Sequence, residues 1–213
     1  MLGIMDTAEL LTRAATLAET PGRTLLGIAG APGAGKSTLA ALLQDRLGAR
    51  CVVVPMDGFH LDDPVLARLG RLHRKGAPDT FDVDGLVATL TRIRTATHTV
   101  YAPRLDRSRE VAVAGAVQVD AAATLVVVEG NYLLLEDDGW RDVRALIDET
   151  WFLDVPQDVH AERLTLRRIA DGHRPDASRA WVHAVDLPNG RTVEATRDRA
   201  DLVMPATPAS HGS

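Results

Sequence analysis

Residues Gly30-Ala31-Pro32-Gly33-Ala34-Gly35-Lys36-Ser37 have the types and spacing of a triphosphate-binding loop, G-x-x-x-x-G-K-[ST]. At ordinary glycine usage, a chance match somewhere in 213 residues has odds of roughly one in a hundred. The chemistry needs these residue types. Glycines let the backbone wrap phosphates and aim amide N–H groups at them. A helix opening at the loop adds a partial positive charge. Gly30, Gly33, Ala34, Gly35, Lys36, Ser37 and Thr38 are therefore the candidate nucleotide-binding residues. Lys36 is expected to neutralise β- and γ-phosphates, and Ser37 to ligate Mg²⁺. The bland alternative is a glycine-rich turn that binds nothing.

Two acids at the ends of apolar runs can complete such a site. Asp57 follows Val52-Val53-Val54-Pro55. A carboxylate there can take a proton from an attacking hydroxyl or help hold Mg²⁺. Its alternative is a turn-forming Asp-Gly pair. Glu129 follows Leu125-Val126-Val127-Val128 and is a candidate metal ligand, or else a strand-end cap. His60, after Asp-Gly-Phe, is a candidate for orienting an acceptor, or for capping the same turn. Asn131 stands just beyond Glu129.

The elements that must position these groups can be read from hydrophobic patterning. Short apolar runs predict strands at Leu25–Ala29, Cys51–Pro55, Thr124–Val128, Trp151–Val155 and Leu202–Met204. Helical spacing predicts helices over 7–19, Lys36–Leu47, Val83–Thr97, Trp140–Asp148 and Gln157–Asp171. The stripe Val83, Leu86, Val87, Leu90 and Ile93 marks the third of these. Such alternation predicts an α/β fold, a doubly wound and mostly parallel five-stranded sheet with helices on both faces. In that fold ligands sit beyond the carboxyl ends of the strands, where the loop, Asp57 and Glu129 all fall. Residues 109–119 alternate instead and read as a two-stranded excursion from the main sheet.

The helix after Trp151–Val155 carries Arg163, Arg167 and Arg168, with His173 and Arg174 beyond. Arg163 and Arg167 are four apart and share a face. A basic lid over about 163–180 is expected to close on phosphates and stabilise charge, turning on a flexible Asp171–Pro175 segment. Solvated surface arginines are the alternative. Arg104, Arg107 and Arg109 form another basic series that can face an anionic substrate.

Composition bounds the rest. The chain is 46 % hydrophobic and 25 % charged, which fits one globular domain over 1–213 with its core at about 23–205. A net charge of −5 argues against nucleic acid as the main partner. One cysteine, Cys51, excludes a disulfide framework and fits a reducing cytoplasm. No apolar run has the length of a membrane span, and the N-terminus does not read as a signal peptide. The tail 206–213 is expected to fray. No Asn-Lys-x-Asp motif points to guanine.

Taken in order, Gly-Ile-Ala-Gly-Ala-Pro-Gly-Ala-Gly-Lys-Ser (27–37), Met-Asp-Gly-Phe-His (56–60), Thr-Phe-Asp (80–82), Tyr101 with its Pro-Arg-Leu-Asp-Arg, and Val-Val-Glu-Gly (127–130) form a specific set. The chain resembles the phosphoribulokinase / uridine kinase / pantothenate kinase family over about 23–205, nearest a nucleoside/nucleotide kinase-like or fructose kinase-like branch. The resemblance implies a P-loop NTPase fold and ATP- and Mg²⁺-dependent transfer of the γ-phosphoryl group to a hydroxyl. The acceptor would be a small polyhydroxylated metabolite, a sugar or a nucleoside. It implies Asp57 as general base, Glu129 near the Mg²⁺–phosphate cluster, and Arg163 and Arg167 as lid cations. Asp82, Tyr101 and Asp106 would hold the acceptor, with His60, Arg104 and Asn131 as further contacts. A carboxylated acceptor, as for a pantothenate kinase, and a regulatory nucleotide-binding ATPase are the rival readings. A homodimer is left open, and neither nucleic acid nor membrane is expected as a partner.

Overall fold

The apolar run at Thr24–Gly30 forms strand β1, buried along its whole length. Strands β2 (Cys51–Pro55), β5 (Leu125–Glu129), β6 (Glu149–Asp154) and β7 (Leu202–Pro205) join it. Their order is β2-β5-β1-β6-β7, and every pairing is parallel. The computed structural model describes residues 7–137 and 139–205. The tail expected to fray lies outside the described residues.

Side chains alternate between the two faces, as a pleated strand requires. Leu25, Ala29, Val54, Val126, Val128 and Phe152 pack with Leu86, Leu90 and Ile93 of α4 (Val83–Thr95) and with Trp140 and Val143 of α5 (Trp140–Leu146). Leu26, Ile28, Cys51, Val127, Trp151 and Leu153 pack against α1 (Thr7–Glu19) and α2 (Lys36–Leu47) on the other face. Apolar surface on both faces is what the near-continuous hydrophobic strands anticipate. The doubly wound α/β reading holds, with all five strands parallel.

Register brings the strand tips level. Ile28 of β1 and Pro55 of β2 both pair with Glu129 of β5. The chain between β1 and α2, the residues just past β2 and the end of β5 therefore meet at one edge.

Two regions differ from expectation. The excursion begins earlier than residue 109. It is an antiparallel hairpin of β3 (Val100–Asp106) and β4 (Val111–Val119). Pro103 hides the first strand's alternation. It is tolerated because the register shifts between Ala102 and Arg104 and β3 pairs on one side only. The segment Asp171–Pro175 is a short turn, as its composition predicts, but it leads into helices that were not expected. Helix α6 (Gln157–Ala170) is followed by α7 (Pro175–Trp181), which starts on Pro175 as a first-turn proline. A π-helical stretch, Val182–Asp186, leads into α8 (Leu187–Glu194). A short helix α3 (Asp63–Arg68), also without a periodic sequence signal, follows β2. Helices α4 and α5 stop at Thr95 and Leu146, two residues short of their expected ends.

Candidate active site

At the level edge of the sheet lies a cleft of about 390 Å³. One wall is the loop between β1 and α2. Gly35 is left-handed (φ 99°) at the N-cap of α2 and no side chain caps the helix there. The first amides of α2 are thus free for an anion. Ser37 and Thr38 are exposed at this opening.

Lys36 is buried at the base of the loop. Its Nζ donates to Gly30 O (2.9 Å), Ala31 O (3.0 Å) and Asn131 Oδ1 (2.7 Å). Burial pulls its pKa down to about 8, with Glu129 and Asp57 opposing the fall. A group in this state gains from an arriving phosphate. Ser37 Oγ donates to Glu129 Oε1 at 3.0 Å. Burial raises the Glu129 carboxyl above its ordinary range, against the pull of Lys36 and the Ser37 hydroxyl. A buried carboxylate next to a hydroxyl offers hard oxygen donors, and Mg²⁺ in phosphate sites takes one or two such protein ligands plus phosphate and water. The residues present fit that ion.

Opposite the loop stands Asp57, just past β2. Its Oδ2 accepts from Arg107 Nη2 at 2.5 Å. Burial pushes the Asp57 carboxyl up, but Arg107, His60, Lys36 and Arg167 together outweigh it and leave it below the usual range. It is a carboxylate, the form a general base needs. Close packing holds this corner. A Cβ on Gly58 would lie 2.4 Å from Pro103 O, so the hairpin backbone presses directly on the residue after Asp57. His60 Nδ1 lies 2.9 Å from Asp57 O, which can only accept, so Nδ1 carries the proton. The imidazole lies against Phe81, with ring centroids 4.0 Å apart. Burial lowers its pKa, so it is neutral at pH 7.

Arg163 and Arg167 of α6 close the cleft from above. Arg168 points elsewhere, its guanidinium 5.0 Å from the Trp181 ring centre.

The structure thus brings together Gly33, Gly35, Lys36, Ser37, Thr38, Asp57, Glu129, Asn131, Arg163 and Arg167. Asn131 joins the loop side of the cleft, its amide oxygen accepting from Lys36 Nζ. Gly30 and Ala34 belong to the same loop, Gly30 O accepting from Lys36 Nζ; the remaining acceptor candidates lie apart. Asp82 caps α4, its Oδ1 accepting from Gly85 N at 2.9 Å, and it borders a separate shallow cleft with Arg71 and Asp79. A short acid before a helical stripe makes an N-cap, which explains the placement. Tyr101 is 56 % exposed on β3, and Arg104 on the same strand is also exposed. Asp106 turns back on its own chain and accepts from the Ser108 amide and hydroxyl. His60 lies behind Asp57 rather than on the cleft wall. Arg107 is the residue under-read in the sequence. It was visible only as one of three basic residues, and the hairpin turn singles it out by lifting it toward Asp57.

A profile of the Phosphoribulokinase / Uridine kinase family matches residues 25–212. The chain belongs to this family. It is 34 % identical to the uncharacterized protein YggC of Escherichia coli K12 over 87 % of this chain and 78 % of that one. Protein C227.14 of Schizosaccharomyces pombe, provisionally named a uridine kinase, is 36 % identical over 77 % of this chain and 74 % of its own length. A crystal structure from Silicibacter sp. TM1040, provisionally described as a fructose transport system kinase, superposes with a TM-score of 0.86. It shares 40 % identity and covers 94 % of this chain and all (100 %) of that one. The protein is a P-loop kinase, a phosphotransferase whose family implies use of ATP.

Proposed function

We propose that the protein transfers the γ-phosphoryl group of Mg²⁺-ATP to a hydroxyl of a small polyhydroxylated metabolite, a sugar or a nucleoside. The observation that carries this is Asp57, a carboxylate held across the cleft from Lys36 and the Ser37–Glu129 pair. A module that only bound nucleotide would have no use for a base there. The names of the similar proteins, a fructose transport kinase and a uridine kinase, favour a polyol acceptor.

In this reading the α2 amides and Lys36 hold the β- and γ-phosphates. Ser37 and Glu129 would hold Mg²⁺, which would supply charge neutralisation to the triphosphate. Asp57 takes the proton of the acceptor hydroxyl. Arg163 and Arg167 stabilise the charge that spreads over the transferred phosphoryl oxygens, and with the lid they exclude water.

The test is ADP release from purified protein offered nucleosides, aldoses, ketoses, pantothenate and phosphorylated sugars. The expected result is turnover well above background ATP hydrolysis with at least one polyol. No turnover above background with any acceptor overturns the reading.

A further inference from the structure

Arg107 reaches the cleft from a different direction than the other cations. Lys36 rises from the phosphate loop, and Arg163 and Arg167 descend from α6. Arg107 comes from the turn between β3 and β4 and meets Asp57 at Oδ2. Its backbone is anchored there. Lys75 Nζ binds Asp63 Oδ1 (2.7 Å), Glu110 O (3.2 Å) and Glu110 Oε2 (3.4 Å). Glu110 is the one non-glycine residue with a left-handed backbone (φ 56°) among those described, so the turn is held in an uncommon shape. The Arg107 side chain itself is 46 % exposed and has room to swing.

This arrangement has a chemical consequence. The Asp57 oxygen that Arg107 engages belongs to the group that must receive a proton. The guanidinium on Oδ2 lowers the basicity of the whole carboxylate, so Asp57 is a poorer proton acceptor until that bond loosens. The guanidinium end of this pair is open to solvent, so a competing anion can reach it and draw it away. Guanidinium binds carboxylate and phosphate in two-point fashion, and neutral hydroxyls offer it no such partner.

We propose that Arg107 selects the acceptor, and that the acceptor is a polyol bearing its own carboxylate or phosphate. The anion takes Arg107 and so frees Asp57. The hydroxyl proton then moves to Asp57 as the hydroxyl oxygen forms its bond to the γ-phosphorus. The bond from phosphorus to the bridging oxygen breaks, and ADP leaves with that electron pair. This inference rests on the kinase reading above and names the class of substrate for the same site.

The experiment measures kcat/KM for ADP release over matched acceptors: neutral aldoses, the corresponding aldonates and the corresponding sugar phosphates, each at three to six carbons. One charged class is expected to exceed its neutral parents at least ~10²-fold. The class that does so separates carboxylate from phosphate. Arg107→Ala should erase that preference, mainly through KM, while Arg107→Lys keeps part of it. The pH profile gives a second readout. Arg107 is the first of the groups that oppose the effect of burial on Asp57, ahead of His60, Lys36 and Arg167. Removing it should shift the acid limb of kcat/KM to higher pH. A third readout needs no turnover. With a non-hydrolysable ATP analogue and Mg²⁺ filling the donor site, the preferred anion should bind wild type and not Arg107→Ala.

If neutral acceptors are preferred and Arg107→Ala leaves the ratios unchanged, the inference fails while the kinase reading stands. If Arg107→Ala raises KM for ATP equally with every acceptor, Arg107 belongs to the donor side and the inference also fails. If no acceptor of either kind is phosphorylated, both fall.

Discussion

The donor and acceptor sides of the cleft are built on different principles. On the donor side, one contiguous loop and the end of β5 supply Lys36, Ser37 and Glu129, and parallel register brings them level. The strands that set this geometry are buried on both faces. On the acceptor side, Asp57 meets Arg107 from a hairpin outside the main sheet, and a turn tied by Lys75 holds that hairpin's tip. The donor side serves one ligand type, whereas the acceptor side can be retuned by moving a hairpin. In the proposed reading, fixed chemistry sits on the sheet and selectivity on an appendage.

That contrast can be broken experimentally. The largest effect should come from Asp57→Asn, which removes the base and leaves the loop intact. Turnover should fall by about 10²–10⁴-fold with affinity for Mg²⁺-ATP unchanged, as read by steady-state kinetics and nucleotide titration. Unchanged turnover would remove Asp57 from the mechanism.

Gly58→Ala tests the seam between the two sides. The added methyl would lie 2.4 Å from Pro103 O, so the hairpin must shift. Stability should drop by about 1–3 kcal/mol in chemical denaturation. Acceptor kcat/KM should fall roughly tenfold or more, because small misplacements are costly. Binding of ATP should not change. If ATP binding weakens as much as acceptor use, the two sides are not separable.

The mildest effect is a proton linkage confined to the donor side. Burial holds Lys36 at about 8 in the empty protein, below its ordinary value. A bound triphosphate favours the ammonium and must raise that pKa. Binding near pH 8.5 should therefore take up part of a proton, and affinity should weaken as pH rises through 8. Below pH 7 the lysine is charged in both states and its contribution vanishes. Calorimetry in buffers of different ionisation enthalpy reads this directly, and zero uptake at pH 8.5 would show that Lys36 is not the phosphate ligand.

The same division explains what could be read from the sequence. Strand tips and the loop were legible because a buried parallel strand announces itself as an apolar run, and in an open parallel sheet the ligand sits beyond the strands' carboxyl ends. Helix α2 matches its expected bounds, and the stripe on α4 faces the core. The placement of the acceptor candidates was not legible because they are remote in sequence and act through turns. Asp82 has the same chemistry whether it caps a helix or binds a sugar, and only the Gly85 amide decides between them. Tyr101 and Arg104 share β3 with buried Val100 and Ala102, but they face outward, a matter of pleat phase that Pro103 obscures. Arg107 could not be distinguished from Arg104 or Arg109 without knowing where the hairpin turns.

The lid excursion begins and ends at neighbouring strands. It leaves from Asp154 and returns at Arg197, whose Nε donates to Asp154 Oδ2 at 2.9 Å. Its outer bend at Gly172 has nothing within 4 Å of an added Cβ. The segment is thus closed at its base and open at its tip. For a loop so closed, doubling the length costs only about 0.6 kcal/mol in closure entropy. Residues inserted at that bend would burden the sheet little, so the lid can grow or acquire a fused module while the catalytic edge beneath it keeps its shape.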